Sequence, residues 1–260
     1  MVRFCPLASG SKGNCLFLST PKGDLLIDAG ISARALSGHL ESLGSSLSSI
    51  QAILISHEHY DHISGLKTLA LRHRIPIIAN YATAEGIVES IGDCPDFYIF
   101  STGEPFEFLD LKISPFTVPH DGVDPTGFTI QTEETKIGVC TDLGFVTPSI
   151  RQQLQKCHLL YLEANHQEEM VLACARPEIY KRRVLGKTGH LSNRQAAQLL
   201  CEVAHPELQK VYLAHLSSEC NSPEKAKQVI SKLLNESGIH IEIDIAHQHQ
   251  QSTPYTCKKA

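Results

Sequence analysis

Tryptophan is absent from this 260-residue chain, and aromatic residues make up only 6% of it. That leaves little material for a broad apolar acyl pocket. The nine cysteines are scattered, odd in number and form no Cys-x-x-Cys pair. A disulfide framework and a thiolate zinc knuckle are therefore disfavoured, and a reducing, cytoplasmic compartment is expected. No run of 18 apolar residues occurs, so no membrane-spanning helix is expected. The opening Met1–Pro6 segment has no export-signal apolar stretch. Glycine (17) and proline (13) are too few for a collagen-like or low-complexity chain. Positive charge is also short: Lys and Arg total 23 against 28 Asp and Glu, a net charge of −5. Proteins that grip nucleic acid with their own charge are usually basic. If this chain binds a phosphate polyanion, bound metal must supply positive charge at the point of contact.

Hydrophobic residues reach 42%, ample for a large core. Short apolar runs at Phe4–Ala8, Cys15–Ser19 and Leu25–Ile27 read as strands. A helix capped by Ser32 follows, to Leu43. The buried strand Ala52–Ile55 leads into a histidine-rich loop and a helix from Ser64 to about His73. Ile75–Ala79 reads as a strand and Thr83–Ile91 as a helix, and strands dominate from Phe97 to Cys140. A second mixed half has helices at Thr147–Gln155, Asn193–Val203 and Pro223–Asn235, and strands at Leu159–Leu162, Val211–Ala214 and Ile239–Ile245. Each half goes from strand-rich to alternating strand and helix. The expectation is an α+β chain forming one domain over residues 1–260: a four-layer αβ/βα sandwich of two face-to-face β-sheets with helices outside.

Histidine is abundant, with 14 residues. The sharpest signal is His57-x-His59-x-Asp61-His62, directly after an apolar strand. Imidazole nitrogen and carboxylate oxygen are good ligands for zinc and similar divalent ions. In a loop leaving a strand, His57 and His59 can serve one metal while Asp61 and His62 turn to a second. Two such ions about 3.5–4 Å apart can share a bridging hydroxide. His120, Asp142 and His215 each follow an apolar strand at a polar turn. Alone, each fits a turn or a satisfied polar group; their order after the first motif lifts them together.

The chain resembles the metallo-β-lactamase superfamily of dinuclear metallohydrolases, and most closely its YycJ/WalJ-like branch. The resemblance rests on Asp28 at the end of Leu25-Leu26-Ile27, the His57–His62 block, His120, Asp142 and His215. It rests also on Ala8–Asn14, Asp124–Gly127, Glu163–His166, Gly189–Asn193 and Ala214–Ser217. It implies a metallo-β-lactamase-like fold and two divalent ions, zinc first, with manganese or iron compatible. His57, His59 and His120 would hold one ion, and Asp61, His62 and His215 the other. Asp142 would bridge, and Asp28 would orient a ligand. Asp61 also counts among the catalytic candidates. His190 would face the scissile phosphate, to stabilise charge or protonate the leaving oxygen. Ser9, Ser11, Asn14, Asn165, His166, Ser192 and Asn193 are candidates for substrate contact, although Ser192 and Asn193 suit a helix cap equally and Ser9, Ser11 and Asn14 a plain turn. The run Lys181-Arg182-Arg183 with Lys187 reads as a solvated helix end or as a phosphate-backbone contact.

The expected function is a dinuclear phosphodiesterase in which a metal-bridging hydroxide attacks phosphorus, and the resemblance implies a DNA exonuclease. Nucleic acid, DNA rather than RNA, is the expected partner, and no membrane is. The alternatives are a hydrolase of small cyclic phosphodiesters, a thioester or β-lactam hydrolase, and a metal-binding regulatory scaffold without turnover. The stretch from Asp142 to His215 is too short for the large inserted domain of β-CASP-type ribonucleases.

Overall fold

The computed structural model describes residues 2–257. Along the chain run β1 (Arg3–Ala8), β2 (Cys15–Thr20), β3 (Gly23–Ile27), α1 (Ala33–Ser42), β4 (Ile50–Leu54), α2 (Tyr60–Ile63), α3 (Leu66–Leu71), β5 (Ile77–Asn80), α4 (Tyr81–Ile91), β6 (Phe97–Phe100), β7 (Phe106–Phe108) and β8 (Leu111–Thr117). Then come β9 (Thr126–Gln131), β10 (Lys136–Cys140), α5 (Pro148–Leu154), β11 (Leu159–Glu163), α6 (Glu168–Ala173), α7 (Glu178–Val184), α8 (Asn193–Val203), β12 (Lys210–Ala214), α9 (Pro223–Glu236), β13 (Glu242–Ile245) and β14 (Tyr255–Thr256). One seven-stranded sheet has the order β14-β1-β2-β3-β4-β5-β6, and the other β13-β12-β11-β10-β9-β8-β7. Two compact units result: among the described residues, 2–115 with 122–126 and 246–257, and 116–121 with 127–245.

In the first unit, β1, β2 and β3 form an antiparallel meander. β3 through β6 are parallel neighbours. Parallel strands covered by helices are buried on both faces and read as unbroken apolar runs, as Leu25-Leu26-Ile27 and Ala52–Ile55 do. Leu36 and Leu40, one turn apart on α1, join Leu7, Phe17, Leu26, Ile53 and Ile77 in the core. Ser32 caps α1 by accepting from the Ala35 amide, and Asn80 caps α4 by accepting from Thr83. The helix expected from Ser64 to about His73 is shorter, Leu66–Leu71, and a separate turn of helix, α2, precedes it. Gly65 separates α2 from α3, and its backbone lies so close to Ala29 and Ile31 that a Cβ there would sit 2.1 Å from the Ile31 carbonyl.

In the second unit, β9 and β10 pair antiparallel, whereas β10, β11, β12 and β13 are all parallel. α5, α8 and α9 cover a core containing Leu154, Leu160, Leu200, Leu213 and Ile230. Thr147 and Ser222 cap α5 and α9, each with proline in the first turn. No expectation covers α6, and α7 is expected only as the helix end at Lys181-Arg182-Arg183, which its last turn carries. They close over the small cluster of Val171, Val184 and Cys220.

The cysteines behave as small buried hydrophobes in the main. Burial pushes the Cys5 and Cys157 thiols up to about 12, far from the range of a reactive thiolate. Among the described residues, no helix is long and apolar enough to cross a membrane.

Candidate metal centre

Three of the predicted site residues share an uncommon backbone state. Asp28 follows β3, Asp142 lies just past β10 and His215 follows β12. Their φ angles are 59°, 58° and 53°. Few non-glycine residues adopt this left-handed conformation, and it costs free energy unless the surroundings impose it. Each turn swings a side chain off the carboxyl end of a parallel strand, where ligands bind in open α/β sheets.

In the first unit the histidine loop is fastened to the Asp28 turn. The Asn14 amide donates to the Asp61 carbonyl (2.8 Å), Ala29 to that of His62 (2.7 Å) and Gly65 to that of Ala29 (2.8 Å). Gly30 permits this approach, since a Cβ there would lie 1.6 Å from the Asp61 carbonyl oxygen. Asp28 Oδ1 accepts from the Ser56 amide at 2.8 Å, and its Oδ2 faces His62 Nδ1 at 2.8 Å. A buried carboxylate at Nδ1 fixes the proton there and leaves Nε2 with a free pair for a metal. His57 Nε2 and His59 Nδ1 stand 3.0 Å apart. His62 Nε2 lies 3.5 Å from Asp61 Oδ2. Asn14 Nδ2 lies 3.0 Å from that same Asp61 oxygen and 3.0 Å from His62 Nε2.

In the second unit, His120 Nδ1 lies 3.2 Å from the Gly189 carbonyl, an acceptor that places the proton on Nδ1. His120 Nε2 is 3.9 Å and His215 Nε2 3.5 Å from Asp142 Oδ1. Burial holds the His120 imidazole below its ordinary pKa against the opposing charge of Asp142, and so keeps it in the neutral form a metal requires.

The sequence assigns Glu163 no role beyond its place in a resembling segment, and the structure makes it a hub. It is fully buried at the end of β11. Its Oε1 lies 2.8 Å from His190 Nδ1 and 3.3 Å from His215 Nδ1. Its Oε2 accepts from the Leu143 and Leu191 amides, both at 3.0 Å. Burial alone would raise its pKa. The charge and hydrogen bond of His190, with the hydrogen bond of His215, outweigh burial and hold it below the carboxylate range. The available signal was an acid ending a strand, Leu-Leu-Tyr-Leu-Glu, that is otherwise wholly apolar.

His190 keeps part of its ring exposed and stacks on His215 with centroids 5.2 Å apart. Among the residues named for substrate contact, Ser11 alone is exposed. Asn165 Nδ2 donates to the His215 carbonyl at 2.7 Å. Ser192 forms a capping box with Gln195 at the start of α8. Asn193 is fully buried and bonds Asn221. His166 is buried, and burial lowers its pKa.

The donor set fits a divalent cation. In the second unit His120 and His215 both turn Nε2 toward Asp142 Oδ1, at 3.9 and 3.5 Å. His62 and His120 carry tautomer-fixing partners of the kind metal-binding imidazoles have. Oxygen and nitrogen donors ending parallel strands suit a metal-dependent hydrolase. The family model described as a beta-lactamase superfamily domain matches residues 24–216, and the chain belongs to the metallo-β-lactamase superfamily, to its YycJ/WalJ-like branch. With the family come its α+β sandwich fold and its standing as a metal-dependent hydrolase.

Two relatives and one solved structure place the chain further. It is 34% identical over 242 residues to "Exodeoxyribonuclease YycJ" of Bacillus anthracis, covering 92% of both chains. It is 32% identical to "Exodeoxyribonuclease WalJ" of Streptococcus pneumoniae strain D39, covering 93% of this chain and 91% of that one. The crystal structure of the metallo-beta-lactamase fold protein YhfI from Bacillus subtilis matches with a TM-score of 0.75 at 15% identity, over 97% of this chain and 100% of the other.

Proposed function

We propose that this protein is a two-metal exonuclease acting on DNA. The assignment gives His57, His59 and His120 to one ion, Asp61, His62 and His215 to the other, and Asp142 to both. Residues 1–260 are proposed to work as one domain, because that set runs from His57 to His215. Zinc is the proposed ion, as nitrogen-rich ligation suits it. Bound divalent ions lower the pKa of water and neutralise charge on a phosphodiester.

The residues of the chain do the rest. Asp28 and the Gly189 carbonyl hold two imidazoles in their ligating tautomers. His190 donates a proton to the leaving oxygen. Glu163, an acceptor at Nδ1, fixes the orientation of the His190 ring and keeps its opposite edge aimed outward. The observation that carries this reading is the 2.8 Å pair of His190 with buried Glu163. The His190 side chain keeps 19% of its surface exposed while its Glu163 partner is fully buried, so the imidazole is held firmly yet stays within reach of a substrate. The names of the two relatives support DNA as the substrate.

The test is digestion of end-labelled single- and double-stranded DNA by protein stripped with chelator and reloaded with Zn²⁺ or Mn²⁺, beside bis-p-nitrophenyl phosphate. Metal-dependent release of mononucleotides from an end is expected. Hydrolysis of the small diester with intact DNA would overturn the nuclease reading and retain the phosphodiesterase. His190→Ala should lower kcat by about 10²–10⁴-fold.

A further inference from the structure

In an acidic protein, the densest run of positive charge is Lys181-Arg182-Arg183 with Lys187. It occupies the end of α7 and the loop that leads to His190. The two faces of α7 differ. Tyr180 and Val184 turn inward to the Val171–Cys220 cluster, and Lys181 is tied to the Leu172 carbonyl at 2.8 Å. Ile179, Arg182 and Arg183, at i, i+3 and i+4, are exposed, Ile179 by 80%. Arg183 pairs with Asp121 at 2.8 Å. Arg182 and Lys187 are exposed and have no ion-pair partner among the described residues. The same face carries one acid of its own helix, Glu178.

This ledge is locked to the chemistry in the second unit. The His190 amide donates to the Val184 carbonyl (3.0 Å) and Gly189 to that of Gly186 (3.0 Å). Gly189, whose carbonyl faces His120, is packed so closely that a Cβ would lie 2.1 Å from the Arg183 carbonyl. Gly144, two residues after Asp142, is pressed onto the backbone of Lys187, where a Cβ would meet the carbonyl at 2.3 Å. The next residue is Phe145, a 40% exposed aromatic. An exposed aromatic ring beside unpaired cations is what proteins present to single-stranded nucleic acid: the cations track phosphates and the ring stacks on an unpaired base.

We propose that Phe145, Lys187 and Arg182 form a guide for single-stranded DNA, with Phe145 stacking a base near the reacting phosphate and Lys187 and Arg182 holding phosphates further along. The proposal rests on the exonuclease reading and adds to it a strand type and a direction of approach, along α7. It also resolves the deficit of positive charge: the contact is confined to one short ledge.

Fluorescence anisotropy of a labelled dT12 oligonucleotide with a cleavage-resistant phosphorothioate backbone, on zinc-loaded full-length protein, tests it. The variant Arg182→Glu/Lys187→Glu should bind at least about 10-fold more weakly, with a slope of log K on log salt shallower by about 1.4. Phe145→Ala should weaken binding by about 5-fold or more with the slope unchanged. Lys227→Glu/Lys232→Glu, on α9, controls for net charge with the same change of four units, and thermal melting confirms that every variant is folded. Wild-type affinity and slope in the Arg182→Glu/Lys187→Glu variant would overturn the guide. Equal loss in the α9 variant would overturn it too, by reducing the effect to net charge. If wild-type protein binds no dT12 while still cleaving DNA ends, the guide falls and the exonuclease stands; if it cleaves no DNA either, both fall.

Discussion

At Asp28, one buried carboxylate accepts from the Ser56 amide and hydroxyl and orients the His62 ring. Asp28→Asn keeps the size and removes the charge that fixes the His62 tautomer. Metal affinity should fall about 10–100-fold, read by competition with a chromophoric zinc chelator; an unchanged affinity would remove Asp28 from the site. Gly30 is a backbone matter. The methyl of Gly30→Ala would stand 1.6 Å from the Asp61 carbonyl, so the loop must move or the fold must yield. A loss of at least about 2 kcal/mol in urea unfolding is expected. The His57–His62 block could be read from the sequence because metal ligation restricts residue type at each position. Glu163 could not, because a single acid closing an apolar strand also fits a turn. What distinguishes it is the pair of imidazoles, at positions 190 and 215, that only the folded chain delivers to its Oε1.

Among the elements, those with full amphipathic periods were legible. α1, α8 and α9 repeat apolar residues every third or fourth position and carry Ser32, Ser192 and Ser222 as caps. α6 was not, and α7 showed only its basic end, because six and seven residues are too short for a period to show, and their buried faces answer to a minor cluster rather than to a main core. The role of Ser192 is decided at this scale. Its side chain accepts from the Gln195 amide, so Ser192→Ala should cost about 1 kcal/mol in urea unfolding. As a cap alone it should leave the KM for DNA within about twofold; a several-fold rise would assign it to substrate instead.

For the molecule as a whole, alternation of strand-rich and mixed stretches was enough to anticipate the α+β class. The seven-stranded orders of the two sheets were not legible, because strand neighbours are chosen by crossovers that leave little mark on local sequence. Metal ties the ligand turns to folding itself. A ligand bound by the native state alone adds about 2.7 kcal/mol at 100 times its Kd, so chelation should lower the melting temperature by about 5–10 °C, and zinc should restore it. Melting curves that superimpose with and without chelator would show that the donors hold no ion.

The left-handed backbone at Asp28, Asp142 and His215 sets a limit on engineering. Glycine is the residue best suited to those angles, so a search for heat-tolerant variants scored on survival alone would be drawn to Asp142→Gly and His215→Gly. Both would ease the chain and erase a donor. Durability and turnover therefore pull against each other at the same few positions, and selection for one without the other should yield a sturdier protein that does nothing.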